Sequence, residues 1–361
     1  MSDFLSQASF EAGIALPKDA LDHDDIAASI LTKSGLLPPG SVLCIQGPWG
    51  RGKTDVLARV ATATYKRHSG EHLCPKAIWV NPWQYGTPDL LSPIVLALLE
   101  RIKPEHRTAS KAIRMAAETI IKAGLSFGLK ATALMIPGGK IYEAAAKEAK
   151  DLLQGLFEAR DVDESMDKRP DPDPVSQMGL RFSQLVEEVL DSEGFDDSVR
   201  LLVCIDDLDR CLPHRQVALL ESIRFLLSAG ARASFIVALD PSLARQSVIA
   251  HFGTDIFDPD RYLDKMFDLR VGLPSLSDAA LDSLFRSQLS SMVGMPVGSV
   301  PLEKMLSQQF GNIFSDWANV ASNWLLLPDF RNPRMVHRTY FRAHPLAGAI
   351  GRFHERRDIR Q

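Results

Sequence analysis

The sequence predicts an α/β protein: a parallel β-sheet in a three-layer arrangement with helices, carrying a helical insertion and a C-terminal helical lid domain. Three observations predict it. Apolar, strand-length runs recur at 41–45, 76–80, 201–205 and 233–240 without polar alternation, as strands buried on both faces require. Helical patterning lies between them, opening near 53 and again over 90–103 and 175–191. Two of the runs stop at loops with the chemistry for a phosphate and for a metal ion, "GPWGRGKT" and "DDLDR".

In chain order, "SVLCI" (41–45) reads as a short buried strand. "TDVLARVATATYKRH" then places Val56, Leu57, Val60 and Ala61 on one face, so a helix opens at about Lys53. Between them Gly47, Gly52, Lys53 and Thr54 fit G-x-x-x-x-G-K-[ST], the Walker A pattern. In that setting glycines let backbone N–H groups curl around a phosphate, and the helix N-terminus adds its positive end. Lys53 reaches toward the β/γ-phosphates and the Thr54 hydroxyl toward Mg²⁺. The candidate nucleotide-binding segment is thus 47–55, including Trp49, Gly50, Arg51 and Asp55. Phosphate chemistry gives Trp49 no reason to be there.

A phosphate loop alone binds, and hydrolysis needs a second, carboxylate-bearing strand. "RLLVCIDDLDRCLP" (200–213) supplies it, with Asp206 and Asp207 at the C-terminal end of an apolar run, where ligands of open α/β sheets sit. Asp206 is the candidate Mg²⁺ ligand, as in a Walker B strand, and Asp207 the candidate base that orients or deprotonates the attacking water. An N-capping acidic turn is the plainer reading of the same pair.

Four motifs in order, "GPWGRGKT", "WVNPWQY", "CIDDLDRCLP" and "RYLDKMFDLRVGLP", resemble the KAP family of P-loop NTPases, relatives of AAA+ and STAND ATPases. The resemblance spans about residues 20–345 and makes Trp49 a family trait, expected to pack the loop against the "NPWQY" turn. It matches Asn81 and Trp83 to the family's aromatic Asn-x-Trp segment, and Asp206, Asp207, Asp209 and Arg210 to its D-D-x-D-R. It implies an α/β P-loop NTPase core, ATP and Mg²⁺ as ligands, and membership among bacterial proteins implicated in excluding phages and plasmids.

The remaining core follows. "KAIWV" (76–80) ends at Asn81, which puts "NPWQYG" on the ligand edge. "ASFIVALD" ends at Asp240, which is either a sensor of the γ-phosphate or the cap of the helix opening at Pro241–Ser242. "FDLRVGLP" supplies the last strand, stopped by Pro274. The segment before it offers Arg261, which either completes a neighbouring subunit's site or pairs with Asp258 or Asp264 on its own surface.

Composition sets the class. A chain of 361 residues with 45% hydrophobic and 24% charged residues is an ordinary globular protein, with two compact domains as the prior. A net charge of −4 argues against broad, charge-driven affinity for nucleic acid, which the basic tail "GRFHERRDIRQ" leaves open. The four cysteines, 44, 74, 204 and 211, show no C-x-x-C spacing and read as small core residues in a reducing compartment. "MSDFLSQASFEAG" lacks the basic flank and apolar core of a signal peptide, so the cytoplasm is the expected address.

The expected divisions are an N-terminal segment (1–19), an NTPase core (20–103 and 175–274), a helical insertion and linker (104–174) and a C-terminal helical domain (275–361). The insertion occupies a place where the family often carries paired transmembrane helices. Here Glu118, Lys122, Lys130 and Lys140 interrupt the apolar stretch, so no integral membrane segment is expected. A helical hairpin packed on the core, an amphipathic segment that docks a partner protein, and an interfacial membrane helix are its three readings. In the C-terminal part, "DFRNPRMVHRTYFR" resembles a lid segment whose arginine senses nucleotide. Arg334 holds that place, and a solvated basic face with Arg331, Arg338 and Arg342 is the alternative.

These features predict a cytoplasmic Mg²⁺-dependent ATPase acting as a switch or motor, with protein partners or a homo-oligomer formed through insertion and lid. No guanine-reading Asn/Thr-Lys-x-Asp motif stands at a strand end, so ATP is preferred to GTP. A low-turnover nucleotide-binding scaffold is the alternative from another class, and the intact Asp206 and Asp207 favour the enzyme.

Overall fold

The computed structural model describes residues 21–66, 77–84, 91–102, 111–133, 174–253 and 258–275. Arg334, the C-terminal helical domain beyond 275 and the 134–173 part of the insertion lie outside the described residues. Two units divide the chain. The larger holds Asp24–Pro48 and Lys53–Gly272, and the smaller holds Pro17–His23, Trp49–Gly52 and Leu273–Gln361.

Five strands make the sheet of the larger unit: β1 (Val42–Gln46), β2 (Ile78–Val80), β3 (Leu201–Ile205), β4 (Ala233–Leu239) and β5 (Leu269–Gly272). Their order is β2-β3-β4-β1-β5 and every pairing is parallel. β1, β3 and β4 are central, and their side chains are buried on both faces, which explains runs such as "LLVCI" and "ASFIVAL". β5, at an edge, alternates between half-buried and exposed residues.

Alternation along each strand divides the core in two. Val42, Cys44, Val203, Ile205, Phe235 and Val237 belong to one large cluster with helices α3 (Ser92–Arg101), α4 (Lys111–Ala133), α5 (Pro174–Ser192) and α6 (Pro213–Leu227). Leu43, Ile45, Leu202, Cys204 and Ile236 are buried outside it, and helix α2 (Lys53–Lys66), which buries Val56, Leu57 and Val60, packs against β1 and β4. Helix α1 (His23–Leu36) is tied to α2 by the Arg59–Asp24 ion pair at 2.7 Å.

α5 buries Met178, Phe182, Leu185, Val186 and Val189, a spacing that makes one continuous stripe. Phe182 meets Phe235 of β4 with ring centroids 6.0 Å apart. Each such buried side chain contributes roughly 1.5–3 kcal/mol. α4, the first part of the insertion, buries Ile113, Ala116, Ala117, Ile120 and Ile121 and packs chiefly on α5. No helix among the described residues is long and apolar enough to cross a membrane.

Two further helices close the unit, α7 (Pro241–Phe252) and α8 (Pro259–Met266). Both open with a proline behind a capping aspartate, Asp240 and Asp258, whose carboxylates accept backbone N–H groups of the first turn.

Candidate functional site

Parallel pairing puts the C-terminal ends of all five strands at one edge, so the loops after β1, β2, β3 and β4 meet there. Gly47 follows β1 and donates its N–H to the Leu239 carbonyl at the end of β4 (3.3 Å), while Asp206 N–H donates to Val80 O at the end of β2 (3.0 Å).

The loop after β1 holds Gly50 and Gly52 at φ +87° and +97°, a region that side chains avoid. A Cβ on Gly52 would also stand 2.5 Å from Cε1 of the His23 ring, so the position admits only glycine. Trp49 is 56% exposed.

Lys53 opens α2. Its Nζ donates to the Gly47 carbonyl at 2.9 Å and approaches that of Pro48 at 3.5 Å. It also forms an ion pair with Asp209 at 3.1 Å, both side chains being buried. One residue on, the Thr54 hydroxyl donates to Asp206 Oδ1 at 3.1 Å. β4 separates β1 from β3 in the sheet, so this bond spans the end of β4.

Burial pushes the Asp206 carboxyl up to about 7, and the neighbouring Asp207 charge adds to the rise. The Asp207 N–H and the Thr54 hydroxyl, both donating to it, oppose that rise. A buried carboxylate beside a hydroxyl is a pair of hard oxygen donors, which fits Mg²⁺. Among the described residues no group of three or more His, Cys, Asp or Glu gathers as a separate metal site.

Asp207 has a left-handed backbone, φ +54° and ψ +24°, and starts the 3₁₀ turn Leu208–Arg210. Such a conformation costs a non-glycine residue of order 1 kcal/mol or more, and aspartate tolerates it better than most. The twist brings its two oxygens to two different partners. Asn81 Nδ2 donates to Oδ2 at 3.0 Å, and Arg210 Nε forms an ion pair with Oδ1 at 2.9 Å. Asn81 Oδ1 in turn accepts the Trp83 N–H at 3.2 Å, and the Arg210 guanidinium lies over the Trp83 ring, 5.1 Å from its centroid. The aromatic turn after β2 is thereby fastened to the acidic turn after β3.

Behind the site, Gln216 of α6 donates to the Cys211 carbonyl at 2.9 Å and accepts from Ser247 of α7 at 3.0 Å, a buried polar chain that fixes the end of the turn.

Other expected site residues have partners of their own or stand at the surface. Asp240 caps α7, accepting from Ser242 N at 2.9 Å and Leu243 N at 3.5 Å. Asp55 accepts from Arg59 Nε at 2.9 Å within α2. Arg261 is exposed at the start of α8. Of the two acids weighed as its surface partners, Asp258 caps that helix and Asp264 pairs with Arg270. Neither forms an ion pair with the Arg261 guanidinium among the described residues.

Sequence reasoning assigned no task to Asp209, Arg210 or Trp83. One signal was available: a lysine buried at a strand end needs an anion, and Asp209 is the remaining acid of the second motif.

No curated protein matches the chain. Among solved structures, the chain is similar to the Aeropyrum pernix ORC2 protein in its ADP form, at 15% identity and TM-score 0.38, covering 94% of this chain and 74% of that one. That score is too low to inform the fold. The model of the KAP family P-loop domain matches residues 25–341, a span that takes in the phosphate loop, the aromatic turn and the acidic turn together. The chain belongs to the KAP family of P-loop NTPases.

Proposed function

We propose that this chain is a Mg²⁺-dependent ATPase whose nucleotide state switches the arrangement of its helical insertion and C-terminal lid. The observation that carries the reading is the Thr54–Asp206 bond, which joins the phosphate-loop threonine to the acidic strand across the end of β4. Two hard oxygens held together there are the donors that would hold Mg²⁺. The chemistry Mg²⁺ would supply when bound there is neutralisation of charge on the phosphates.

This chain's own residues supply the rest. Loop 47–52 offers backbone N–H groups, and Lys53 exchanges Asp209 for phosphate oxygens. Asp207, fixed by Asn81 and Arg210, orients the attacking water and accepts its proton. Asp240, which follows β4 and caps α7, would report the γ-phosphate. Arg334 from the lid and Arg261 from a neighbouring copy add permanent positive charge.

The address in this reading is the cytoplasm, and the partners are a second copy or other proteins docked through insertion and lid. Membership in a family with phage- and plasmid-excluding proteins extends it to a defence complex, with phage plating on cells with and without the gene as the test.

For the enzyme itself, phosphate release from Mg·ATP by the purified chain is the test. ATP is expected to be turned over in preference to GTP, and Lys53→Ala is expected to abolish turnover. Tight ATP binding with no turnover would instead identify a scaffold.

A further inference from the structure

The polar contacts around Asp207 close into a ring. Arg210 Nε meets Oδ1, the Arg210 guanidinium covers the Trp83 ring, the Trp83 backbone N–H is held by Asn81 Oδ1, and Asn81 Nδ2 returns to Oδ2. Asp207 and Arg210 are three residues apart on one 3₁₀ turn, which brings their side chains to the same side. Asn81 and Trp83 belong to the turn that follows β2. The Asp207 and Arg210 side chains are 7% and 16% exposed, whereas Trp83 is 50% exposed. A half-exposed tryptophan therefore forms the outer wall of a ring whose inner member is the carboxylate.

Each contact limits a different freedom. A left-handed backbone leaves the Asp207 side chain to be placed by its neighbours. Asn81 fixes one oxygen, but a single hydrogen bond leaves the carboxylate free to turn about it. The Arg210 charge, in an ion pair with the second oxygen, opposes that turning. An arginine side chain is itself long and flexible, and holding it costs conformational entropy. The Trp83 ring supplies the restraint: the guanidinium carbon lies over it, 5.1 Å from its centroid, where the ring's charge distribution attracts the cation.

We infer that Arg210 is a positioning residue for hydrolysis, and that Trp83 is the platform that holds it against Asp207. Arg210 acts on the reaction through Asp207, not by touching nucleotide. The inference rests on the assignment of Asp207 as the residue that orients water. It deepens that assignment by naming what keeps the carboxylate aimed.

The full-length chain tests this through Arg210→Ala, Arg210→Lys, Trp83→Ala, Trp83→Phe and the double alanine variant. ATP turnover gives kcat, and a fluorescent ATP analogue gives affinity. Arg210→Ala is expected to lower kcat by about tenfold to a hundredfold with affinity changed less than about threefold, the pattern of a group that matters only in the transition state. Arg210→Lys is expected to recover little, since a compact, strongly hydrated ammonium does not reach Asp207 and the indole ring together as the broad guanidinium does. Trp83→Ala is expected to lower kcat several-fold, and Trp83→Phe to recover most of that loss. The double variant is expected to be no slower than Arg210→Ala alone, because Trp83 works through Arg210.

Multiplying losses in the double variant would overturn the platform role. A fall in affinity as large as the fall in kcat would overturn the positioning role and place Arg210 on the nucleotide. Normal turnover in Arg210→Ala beside an active wild-type chain would sink the inference while leaving the ATPase reading intact. An inactive wild-type chain would overturn both.

Discussion

Lys53 and Asp209 form an ion pair of 3.1 Å in which both side chains are buried. The lysine of the phosphate loop is thus held by an acid of the second motif, three residues past the metal-ligand candidate. In the proposed mechanism a phosphate takes the place of that acid. The pair also holds the ends of β1 and β3 together, and breaking a buried pair by removing one member is expensive.

Asp209→Asn is expected to lower the stability of the nucleotide-free chain by about 3 kcal/mol, since it leaves a buried ammonium without its anion. It should also raise nucleotide affinity, because the phosphates then meet a lysine with no competing carboxylate. Denaturant unfolding with and without ATP checks both. Weaker nucleotide binding by Asp209→Asn would show that Asp209 assists the ligand and does not compete with it.

Lys53→Ala is expected to eliminate nucleotide binding and, by the same reasoning, to destabilise the fold. The double variant Lys53→Ala/Asp209→Asn should recover part of that stability and none of the binding. Equal unfolding midpoints for wild type and Lys53→Ala would contradict the energetic weight given to the pair.

Asp206 and Asp207 should separate by task. Asp206→Asn loses the carboxylate beside Thr54 and should lose Mg²⁺-dependent binding together with turnover. Asp207→Asn should bind Mg·ATP almost normally and hydrolyse it orders of magnitude more slowly. Calorimetric titration beside phosphate release distinguishes them, and the reverse pattern would exchange their roles.

The raised Asp206 carboxyl gives a pH dependence with a definite sign. Its ordinary value is 3.8, and burial raises it to about 7 in the folded chain. Between those values the folded state holds a proton that the unfolded chain has lost. The group's contribution to stability therefore falls as pH rises through that window and levels off above about 7. Metal-free wild type should lose stability relative to Asp206→Asn between about pH 5 and 7.5, with Mg²⁺ offsetting more of the loss at the upper end. A wild type that gains on the asparagine variant over that range would contradict the burial argument.

Most of the site's edge was legible in the sequence because its grammar is local. Strands buried on both faces must be continuous apolar runs, and "VLCIQ", "LLVCI" and "ASFIVAL" are strands as read. Gly47, Lys53 and Thr54 follow from spacing alone, and the structure brings Thr54 to Asp206. What stayed hidden were the partners. Which of Asp206, Asp207 and Asp209 meets which cation depends on the left-handed twist at Asp207, and no spacing rule reveals that twist. The Arg210 stack on Trp83 joins turns far apart in the chain, and each residue alone reads as a surface residue. α4 was read as insertion, and its alanine-rich face against α5 shows only once α5 is in place.

Arg261 gives a test of assembly. If it completes the site of a neighbouring copy, Lys53→Ala and Arg261→Ala chains, each inactive, should regain partial ATPase activity when mixed. No rescue, together with a monomeric mass in the presence of ATP, would exclude a shared site.

The central claim is that the Thr54–Asp206 pair and the fixed Asp207 form one hydrolytic site. Single-turnover phosphate release from Mg·ATP, with wild type and Asp207→Asn at saturating protein, measures it most directly. The account predicts release by wild type, and retention of bound ATP with release slowed at least about a hundredfold by Asp207→Asn. Equal release by the two chains at equal occupancy would contradict it.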